Sequence, residues 1–189
     1  EGNLPAGTAV VRGAPTATGL GRLVRIDNVI TNAAALDVKG YDAEVKYSED
    51  FDFGTLTSRL NWSRNDEYLY QGSVDSAASD FSGEEGYPED RINLTLNLKR
   101  DDWQFNYSSV YIGDHGDGVA NDFDSYLTHD FTMEYQSPYD LTVLLGVLNF
   151  TDEEPIIDPL GGWNATDSIT KYLYDLAGRR TVVQVKYEF

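Results

Sequence analysis

The chain has 189 residues, of which 41% are hydrophobic and 13% aromatic, and it carries a net charge of -18 without any cysteine. This charge argues against nucleic acid and anionic membrane surfaces as partners, and the absence of cysteine excludes disulfides and thiolate metal sites. The longest apolar run, residues 143–148, is far shorter than the roughly 20 residues that a membrane helix needs, so a helical membrane protein is excluded.

The first third of the chain contains three stretches in which apolar and polar residues alternate. Residues 1–21 hold Gly and Pro around one short apolar patch, which predicts an irregular lead-in with room for a single short strand. Residues 22–31, 37–47 and 55–64 have a period of two, which predicts three strands. A short turn is expected at 48–53, between the second strand and the third.

A long polar segment, residues 66–88, precedes the most regular hairpin of the sequence. Apolar residues alternate with polar ones over 92–99 and again over 103–111, on either side of a tight turn at Arg100 and Asp101. A single register satisfies both faces of this hairpin. It sets Leu98 opposite Trp103, Leu96 opposite Phe105 and Leu94 opposite Tyr107.

Another polar loop, residues 113–124, leads to the last strands. Residues 126–135 and 141–150 predict a second hairpin, and about 28 residues, 151–178, follow it. Residues 181–189 alternate strictly to the final aromatic residue, which predicts a strand with one face in an apolar medium and one in a polar medium.

The connections between these strands alternate in length, with one exception, a tight link predicted near 32–36. Short links are predicted at 48–53, 99–102 and 137–140, and long ones at 66–88, 113–124 and 151–178. Short turns on one side, long loops on the other and strands of about ten residues are typical of outer-membrane barrels. A soluble β-sandwich, whose strands also alternate, is the alternative.

Aromatic residues fall near both ends of the predicted strands, as in the two interfacial girdles of outer-membrane barrels. The girdle near the short turns is predicted to contain Tyr47, Phe53, Trp103, Tyr135, Tyr139 and Phe189. The girdle near the long loops is predicted to contain Trp62, Tyr68 and Tyr126.

Four motifs, in this order, resemble those of the TonB-dependent outer-membrane receptors, specifically the C-terminal part of their barrel. Residues 38–45 (VKGYDAEV), after Asn32, resemble the family's Gly-x-(Asp/Glu)-x-Glu strand, and 88–94 (PEDRINL) resemble its Pro…Arg…Leu strand start. Residues 145–152 (LGVLNFTD) resemble Gly-Val-x-Asn-Leu-Phe-Asp, and 174–180 (YDLAGRR) resemble Tyr-Asp-x-x-Gly-Arg. The departures are Phe150-Thr151 in place of Leu-Phe and Leu176-Ala177 in place of Pro-aromatic.

The resemblance implies an all-β fold, an antiparallel up-and-down transmembrane β-barrel segment. It would supply about eight meandering strands of the about 22 that such receptors use. Residues 1–189 would then be the C-terminal part of the barrel domain without its plug domain, and the isolated sheet is expected to be open and curved. A complete, closed small barrel of eight strands acting as an anchor or adhesin is the alternative.

The resemblance implies transport and not catalysis. The chain would belong to an outer-membrane receptor for TonB-dependent uptake of a siderophore, cobalamin or saccharide-type ligand, with its C-terminus on the periplasmic side. The implied partners are outer-membrane lipid, the plug domain, the remaining barrel strands, the TonB protein and the outer-membrane assembly machinery. No cofactor is implied.

The sequence itself shows no catalytic constellation and predicts no metal site. Its only histidines are His115 and His129, and His129 is expected at the membrane interface. The aspartates of residues 113–124 could offer oxygen ligands to Ca²⁺, but their spacing departs from that of calcium-binding loops and favours a solvated acidic loop.

One candidate pair on the polar side involves Arg59. This residue is expected across from Asp42 or Glu44, where it would form an ion pair that orders the lumen wall. Two solvated charges of little energetic value are the alternative.

A second candidate on the polar side follows from the hairpin of residues 126–150. Its expected pairs are Met133 with Val143 and Phe131 with Leu145. In that register Leu144 and Leu148 point to the polar side, where they would contact a plug. Alternatively, Gly146 marks a bulge that re-aims both side chains.

The terminal strand is the remaining candidate site. In proteins that this chain resembles, the C-terminal aromatic strand is recognised by the assembly machinery. Strand addition would give affinity through the backbone and specificity through alternate side chains. Those side chains are Phe189, Tyr187, Val185 and Val183.

Overall fold

A computed structural model describes residues 9–15, 19–27, 35–74, 76–116, 122–155 and 173–188 of the chain. Within these ranges the secondary structure consists almost entirely of strands and turns. No helix in the described part is long and apolar enough to cross a membrane.

The chain divides into two compact units. The first unit comprises residues 1–37 and 69–80. In it, β1 (Ala9–Arg12) pairs antiparallel with β2 (Leu23–Asp27), so the apolar patch of the lead-in forms the one short strand for which its sequence left room. The predicted strand at 22–31 is thus observed only as far as Asp27, because its remaining residues lie outside the described ranges.

The second unit comprises residues 38–68 and 81–189 and contains most of the main sheet. Among the residues that the structure describes, the remaining strands are β3 (Ala35–Phe51), β4 (Gly54–Gln71), β5 (Ser79–Asp80), β6 (Asp90–Arg100), β7 (Trp103–Ile112), β8 (His115–Gly116), β9 (Asp122–Phe123), β10 (Tyr126–Gln136), β11 (Leu141–Leu148) and β12 (Arg180–Tyr187).

The main sheet follows the order of the chain. Its path is β3-β4-β6-β7-β10-β11-β12, and β5 pairs with the far end of β4, while β8 and β9 form a separate two-residue pair. The path begins at β3 and ends at β12, so the described sheet is open. This confirms the predicted all-β, antiparallel meander and contradicts the alternative of a closed eight-stranded barrel.

The first long hairpin extends well beyond its predicted ends. β3 continues to Phe51 and β4 runs to Gln71, so the turn predicted at 48–53 shrinks to two residues, and part of the polar segment 66–88 is strand. Polar side chains bridge the added length, since Thr55 Oγ1 donates to Asp50 Oδ1 at 2.6 Å and Lys39 Nζ lies 2.5 Å from Glu67 Oε2. Hydrophobic alternation does not reveal these extensions, because polar residues occupy both faces at 48–50 and 65–67.

Both predicted hairpin registers are wrong by two residues. Leu98 pairs with Phe105 and not with Trp103, and Met133 pairs with Leu145 and not with Val143. Each reversal lies one residue later than expected: Asp101 (φ 51°) occupies the β6–β7 turn and Asp140 (φ 57°) precedes β11. Aspartate tolerates this left-handed conformation, and a slip of two residues leaves every side chain on its predicted face.

Gly40 allows the first two long strands to approach closely. A Cβ at this position would lie 2.2 Å from the carbonyl oxygen of Arg64, which no side chain could accommodate. The glycine of the first motif is therefore required by backbone proximity.

Buried side chains are concentrated at the long-loop end of the second unit. The buried side chains of the described part are Ile112, His115, Phe123, Tyr126, Asn149 and Tyr174, together with Pro88. Away from this end almost all strand residues are half-buried or exposed, as is usual for a sheet with both faces uncovered.

Candidate functional site

The strand registers give the main sheet one apolar face and one polar face. The apolar face carries Leu56, Leu60, Trp62, Leu94, Leu96, Leu98, Phe105, Phe131, Met133, Tyr135, Val143, Leu145, Val183, Val185 and Tyr187. The polar face carries Thr57, Arg59, Asn93, Thr95, Asn97, Gln104, Asn106, Ser108, Asp130, Thr132, Glu134, Gln184 and Lys186. Residues directly opposite each other share a face, so this separation follows from the pairing alone.

The strand lengths suit a lipid bilayer. β6 has 11 residues, and at about 3.3 Å per residue and a tilt of about 40° such a strand spans about 28 Å. The apolar band of outer-membrane barrels is about 25 Å tall. The apolar face therefore matches the hydrocarbon core of a membrane in height as well as in composition.

Aromatic rings cluster on the apolar face at the short-turn end. Trp103 lies 4.5 Å from Tyr135 between ring centroids, and Phe51 stacks on Phe53 at 4.9 Å. Tyr126, however, does not belong to the girdle predicted at the opposite end. It pairs with Ile112 on the polar side of the sheet and is 2% exposed, because its ring packs into a cluster beneath the loops.

His129 lies on the apolar face, where its polar ring is satisfied by a neighbour. Its Nδ1 is 2.7 Å from Tyr107 Oη, and its ring stacks on Phe150 at 5.5 Å between centroids. Pairing the imidazole in this way lowers the cost of placing it on an apolar surface.

A ladder of polar side chains crosses the opposite face. Asn97 donates to Asn106, and Asn106 Nδ2 donates in turn to Thr132 Oγ1 at 3.3 Å, so three strands are joined side chain to side chain. Glu134 and Gln104 are directly opposite each other on the same face. This surface is suited to water or a polar partner and not to lipid.

Arg59 is placed near one of its two expected partners. Its Nε lies 3.6 Å from Glu44 Oε2, while Lys46 Nζ approaches the same carboxylate at 2.7 Å. Asp42 instead accepts a hydrogen bond from Ser63 Oγ at 2.5 Å. All of these side chains are substantially exposed in this sheet, so the contribution of the Arg59 pair to stability is small.

Leu144 and Leu148 share the polar face, as the sequence predicted. Leu144 is opposite Glu134 and Gln184, and Leu148 is opposite Arg180. The register runs through Gly146 without a shift, so the bulge considered for this position is absent. Instead Gly146 makes room for Thr132, whose Cγ2 would lie 2.8 Å from an added Cβ.

A buried cluster at the long-loop end joins three loops to the sheet. Tyr174 packs edge-on against Tyr126, with 4.8 Å between ring centroids, and Ile112 lies beneath them. The His115 ring stacks on Phe123 at 4.8 Å. Sequence periodicity missed this cluster because its members come from loops and strand ends; the surplus of aromatic residues in the polar loops was the available signal.

Hydrogen bonds fix the tautomer of His115. The backbone N–H of Gly86 donates to His115 Nδ1 at 3.2 Å, and His115 Nε2 lies 2.9 Å from Tyr174 Oη. Since Nδ1 accepts, the proton of the neutral ring is on Nε2 and is donated to Tyr174. Burial lowers the pKa of His115; Arg91 lowers it further and Asp114 opposes the change.

The third and fourth motifs contact each other at the base of the long 151–178 connection. Asp152 Oδ1 accepts from the backbone N–H of Arg179, and its Oδ2 accepts from Arg179 Nη2, both at 3.0 Å. Asn149 is buried and holds Glu153 by two hydrogen bonds, at 2.8 and 2.9 Å. We call the contact of Asp152 with Arg179 the clasp. It fixes the point at which the chain enters β12.

The first and second motifs also meet, at Arg64. The carbonyl of Arg64 faces Gly40, and its guanidinium binds Glu89 Oε2 and Asp90 Oδ2, each at 2.6 Å. Trp62 Nε1 donates to the same Asp90 at 2.7 Å. Motifs that are distant in sequence therefore form two contact points at the long-loop end of the sheet.

A cavity of about 790 Å³ opens beside these loops and is lined by Glu89, Asp90, Asp114, Asp122 and Asp124 together with Tyr111, His115 and Phe123. In the part of the chain that the structure describes, no three His, Asp or Glu side chains are placed to hold a metal ion. Residues 117–121 of the Asp-rich loop lie outside that part, so calcium binding there stays a hypothesis.

The candidate recognition residues of the terminal strand lie on one face of β12. Val183, Val185 and Tyr187 are opposite Leu145, Val143 and Leu141, respectively, and each is more than 60% exposed. β12 is the last strand of the described path, and Phe189 lies outside the described residues. Recognition by assembly machinery remains a prediction.

An open antiparallel meander with one lipid-like face, tight turns at one end and long loops at the other defines a wall of an outer-membrane type of β-barrel. The family to which it belongs follows from comparison with known proteins. Residues 6–150 match the family described as TonB dependent receptor-like, beta-barrel, which is well over half of the chain. The chain belongs to this family of outer-membrane transport receptors, which are not enzymes. Neither curated proteins nor solved structures give a significant match.

Proposed function

We propose that this chain is the C-terminal part of the barrel of a receptor that imports a scarce ligand by TonB-dependent transport. The ligand would be a siderophore, a cobalamin or a saccharide. The observation that carries the proposal is the separation of faces across the main sheet, which suits a wall between lipid and a polar lumen, in a chain that belongs to this receptor family.

The polar face would line the lumen and meet the plug domain. Leu144 and Leu148 form an apolar patch on an otherwise polar surface, and such a patch favours contact with another part of the protein over exposure to water. The Arg59–Glu44 pair would help to order the same wall. Short turns and the end of β12 would be periplasmic, because the long loops of such barrels are extracellular.

Uptake assays test the transport proposal. Cells that depend on the full-length protein should accumulate one labelled ligand from a panel of ferric chelates, cobalamin and oligosaccharides, and this accumulation should require TonB. Uptake that is unchanged when either the receptor or TonB is removed would overturn the proposal.

Cysteine labelling tests the assignment of the two faces. The described chain offers a matched pair in neighbouring positions of β10, Thr132 on the polar face and Phe131 on the apolar face. With Thr132→Cys, a water-soluble maleimide should react once the plug is absent or displaced, whereas Phe131→Cys should react only with a lipid-soluble reagent. The reverse pattern would exclude lipid as the neighbour of the apolar face.

Deletion of Phe189 in the full-length protein tests the role of the terminal strand. If the assembly machinery reads that strand, the level of receptor in the outer membrane should fall, while Gln184→Ala on the polar face should leave it unchanged. Equal levels in all three proteins would remove this role.

A further inference from the structure

A cleft interrupts the apolar face of the main sheet at its short-turn end. The cleft has a volume of about 520 Å³, which falls within the range of about 300–1,000 Å³ for ligand pockets. Its apolar walls are formed by Phe53, Leu98, Phe105 and Met133. The cleft lies between two aromatic stacks, that of Phe51 with Phe53 and that of Trp103 with Tyr135.

Two opposite charges stand at the mouth of this cleft. Arg100 and Asp101 both line it, and their closest charged atoms are 4.0 Å apart, at the outer limit of an ion pair. Their side chains are 63% and 86% exposed, so both can bind another group without first breaking a strong interaction. Among the described residues, Arg100 is the only cation on the apolar face at the short-turn end.

We propose that this cleft binds one phospholipid whose headgroup carries both a phosphate and a primary amine. Arg100 would bind the phosphate, Asp101 would accept a hydrogen bond from the ammonium group, and an acyl chain would lie along Leu98 and Phe105. This site rests on the placement of the apolar face in lipid that the proposed function requires.

Charge complementarity selects this occupant. An arginine guanidinium binds phosphate strongly, and a carboxylate beside it suits an ammonium that can donate hydrogen bonds. A choline headgroup cannot donate such a bond. An anionic headgroup would also meet the repulsion of a chain that carries a net charge of -18.

The position of the cleft in the sheet supports a permanent opening to lipid. Most of its walls come from β6, β7 and β10, which lie inside the described path, and Phe53 comes from the turn between β3 and β4 at one end of it. Pairing of further strands with β3 or β12 would therefore leave the cleft uncovered. Interfacial tryptophan and arginine beside an apolar band are the usual anchors for a lipid headgroup.

The experiment places the full-length protein in nanodiscs that contain equal parts of phosphatidylethanolamine, phosphatidylcholine and phosphatidylglycerol. Native mass spectrometry then identifies the lipids that remain bound after release. We expect phosphatidylethanolamine to be retained in preference to the other two. Arg100→Gln should lower its retained fraction about tenfold, as expected for loss of one charge-assisted hydrogen bond.

Matched variants separate the parts of the site. Lys99→Gln removes the adjacent positive charge on the polar face and should change nothing. Asp101→Asn tolerates the same backbone conformation and should reduce phosphatidylethanolamine to the level of phosphatidylcholine. Leu98→Trp fills the cleft without altering its charges and should lower retention of every phospholipid at this site.

If all three lipids are retained equally and Arg100→Gln has no effect, the bound lipid is a non-selective boundary layer. This result would overturn the site and leave the transport proposal intact. Failure of the protein to enter nanodiscs of any composition would overturn the site together with the placement of the apolar face in lipid.

Discussion

The two ends of the main sheet are ordered by different means. At the short-turn end the hairpins reverse within a few residues, and aromatic rings remain on the surface of the apolar face, where membrane lipid would complete their environment. At the long-loop end the rings of Tyr126 and Tyr174 are buried against each other, and the Phe123 ring is buried against His115. Lipid can cover the apolar face of a barrel wall, but loops that extend into water need a small buried core of their own.

The largest effect that would test this comparison is expected at Tyr174. Tyr174→Ala removes the ring that joins Tyr126 to His115. The free energy of local opening at the loop end should fall by about 3–5 kcal/mol, as for other buried aromatic residues. Hydrogen exchange at the amides of Ile112 and His115 measures it.

Tyr174→Phe is the control for that change, because it keeps the ring and loses only the contact with His115 Nε2; a cost of about 1 kcal/mol is expected. If both variants leave exchange at the loop end unchanged, the loops are not held by this cluster.

Arginine substitutions on β12 test the lipid side of the comparison. Val183 is opposite Leu145 near the middle of the strand, whereas Val185 lies two residues from its end at Tyr187. Val183→Arg should cost about 2–4 kcal/mol and Val185→Arg less, because the cost of a charge falls towards the interface.

The free energy of unfolding in lipid bilayers is the measurement for the β12 series. Gln184 lies between Val183 and Val185 in sequence but on the polar face, so Gln184→Arg should cost almost nothing. Equal costs at all three positions would mean that β12 has no lipid-facing side.

A smaller effect is expected at the clasp. Asp152→Asn keeps a side chain that tolerates the left-handed backbone at this position (φ 60°) but weakens the contacts with Arg179, and about 1 kcal/mol should be lost. Faster hydrogen exchange at Arg179 and Arg180 would report the loss. Glu153→Gln, whose contacts with Asn149 are made by the backbone, should leave that exchange rate unchanged.

Acidification should loosen the loop end and leave the short-turn end unaffected. Burial holds the pKa of His115 below its ordinary value, so the folded state favours the neutral ring. The stability that the neutral His115 ring gives to the fold is therefore complete above about pH 6.5 and is lost as the pH falls below that value. A protonated Nδ1 can no longer accept from Gly86.

Exchange of the Gly86 amide, corrected for its intrinsic rate, should therefore accelerate between pH 7.5 and 5, an interval chosen around the unperturbed histidine pKa of about 6.5. In His115→Phe the ring stacking persists without a titrating group, and the acceleration should disappear. The same acceleration in both proteins would assign the effect to another group.

The sequence motifs acquire a physical meaning from these contacts. The glycine of the first motif and the acidic pair of the second meet at Arg64, while the third and fourth are joined by the clasp. Sequence order alone suggested the family, but each motif has a partner that lies far from it along the chain.

The sequence by itself determined the strands, their faces and the family. An alternation with a period of two specifies which side chains share a face, and this result is insensitive to a slip of two residues, so Leu144 and Leu148 were assigned correctly from a wrong register. Only the tertiary structure decided the registers, the added length of β3 and β4, and the position of Tyr126. Turn geometry at Asp101, polar pairing such as that of Thr55 with Asp50, and packing beneath loops involve contacts between residues that no local pattern records.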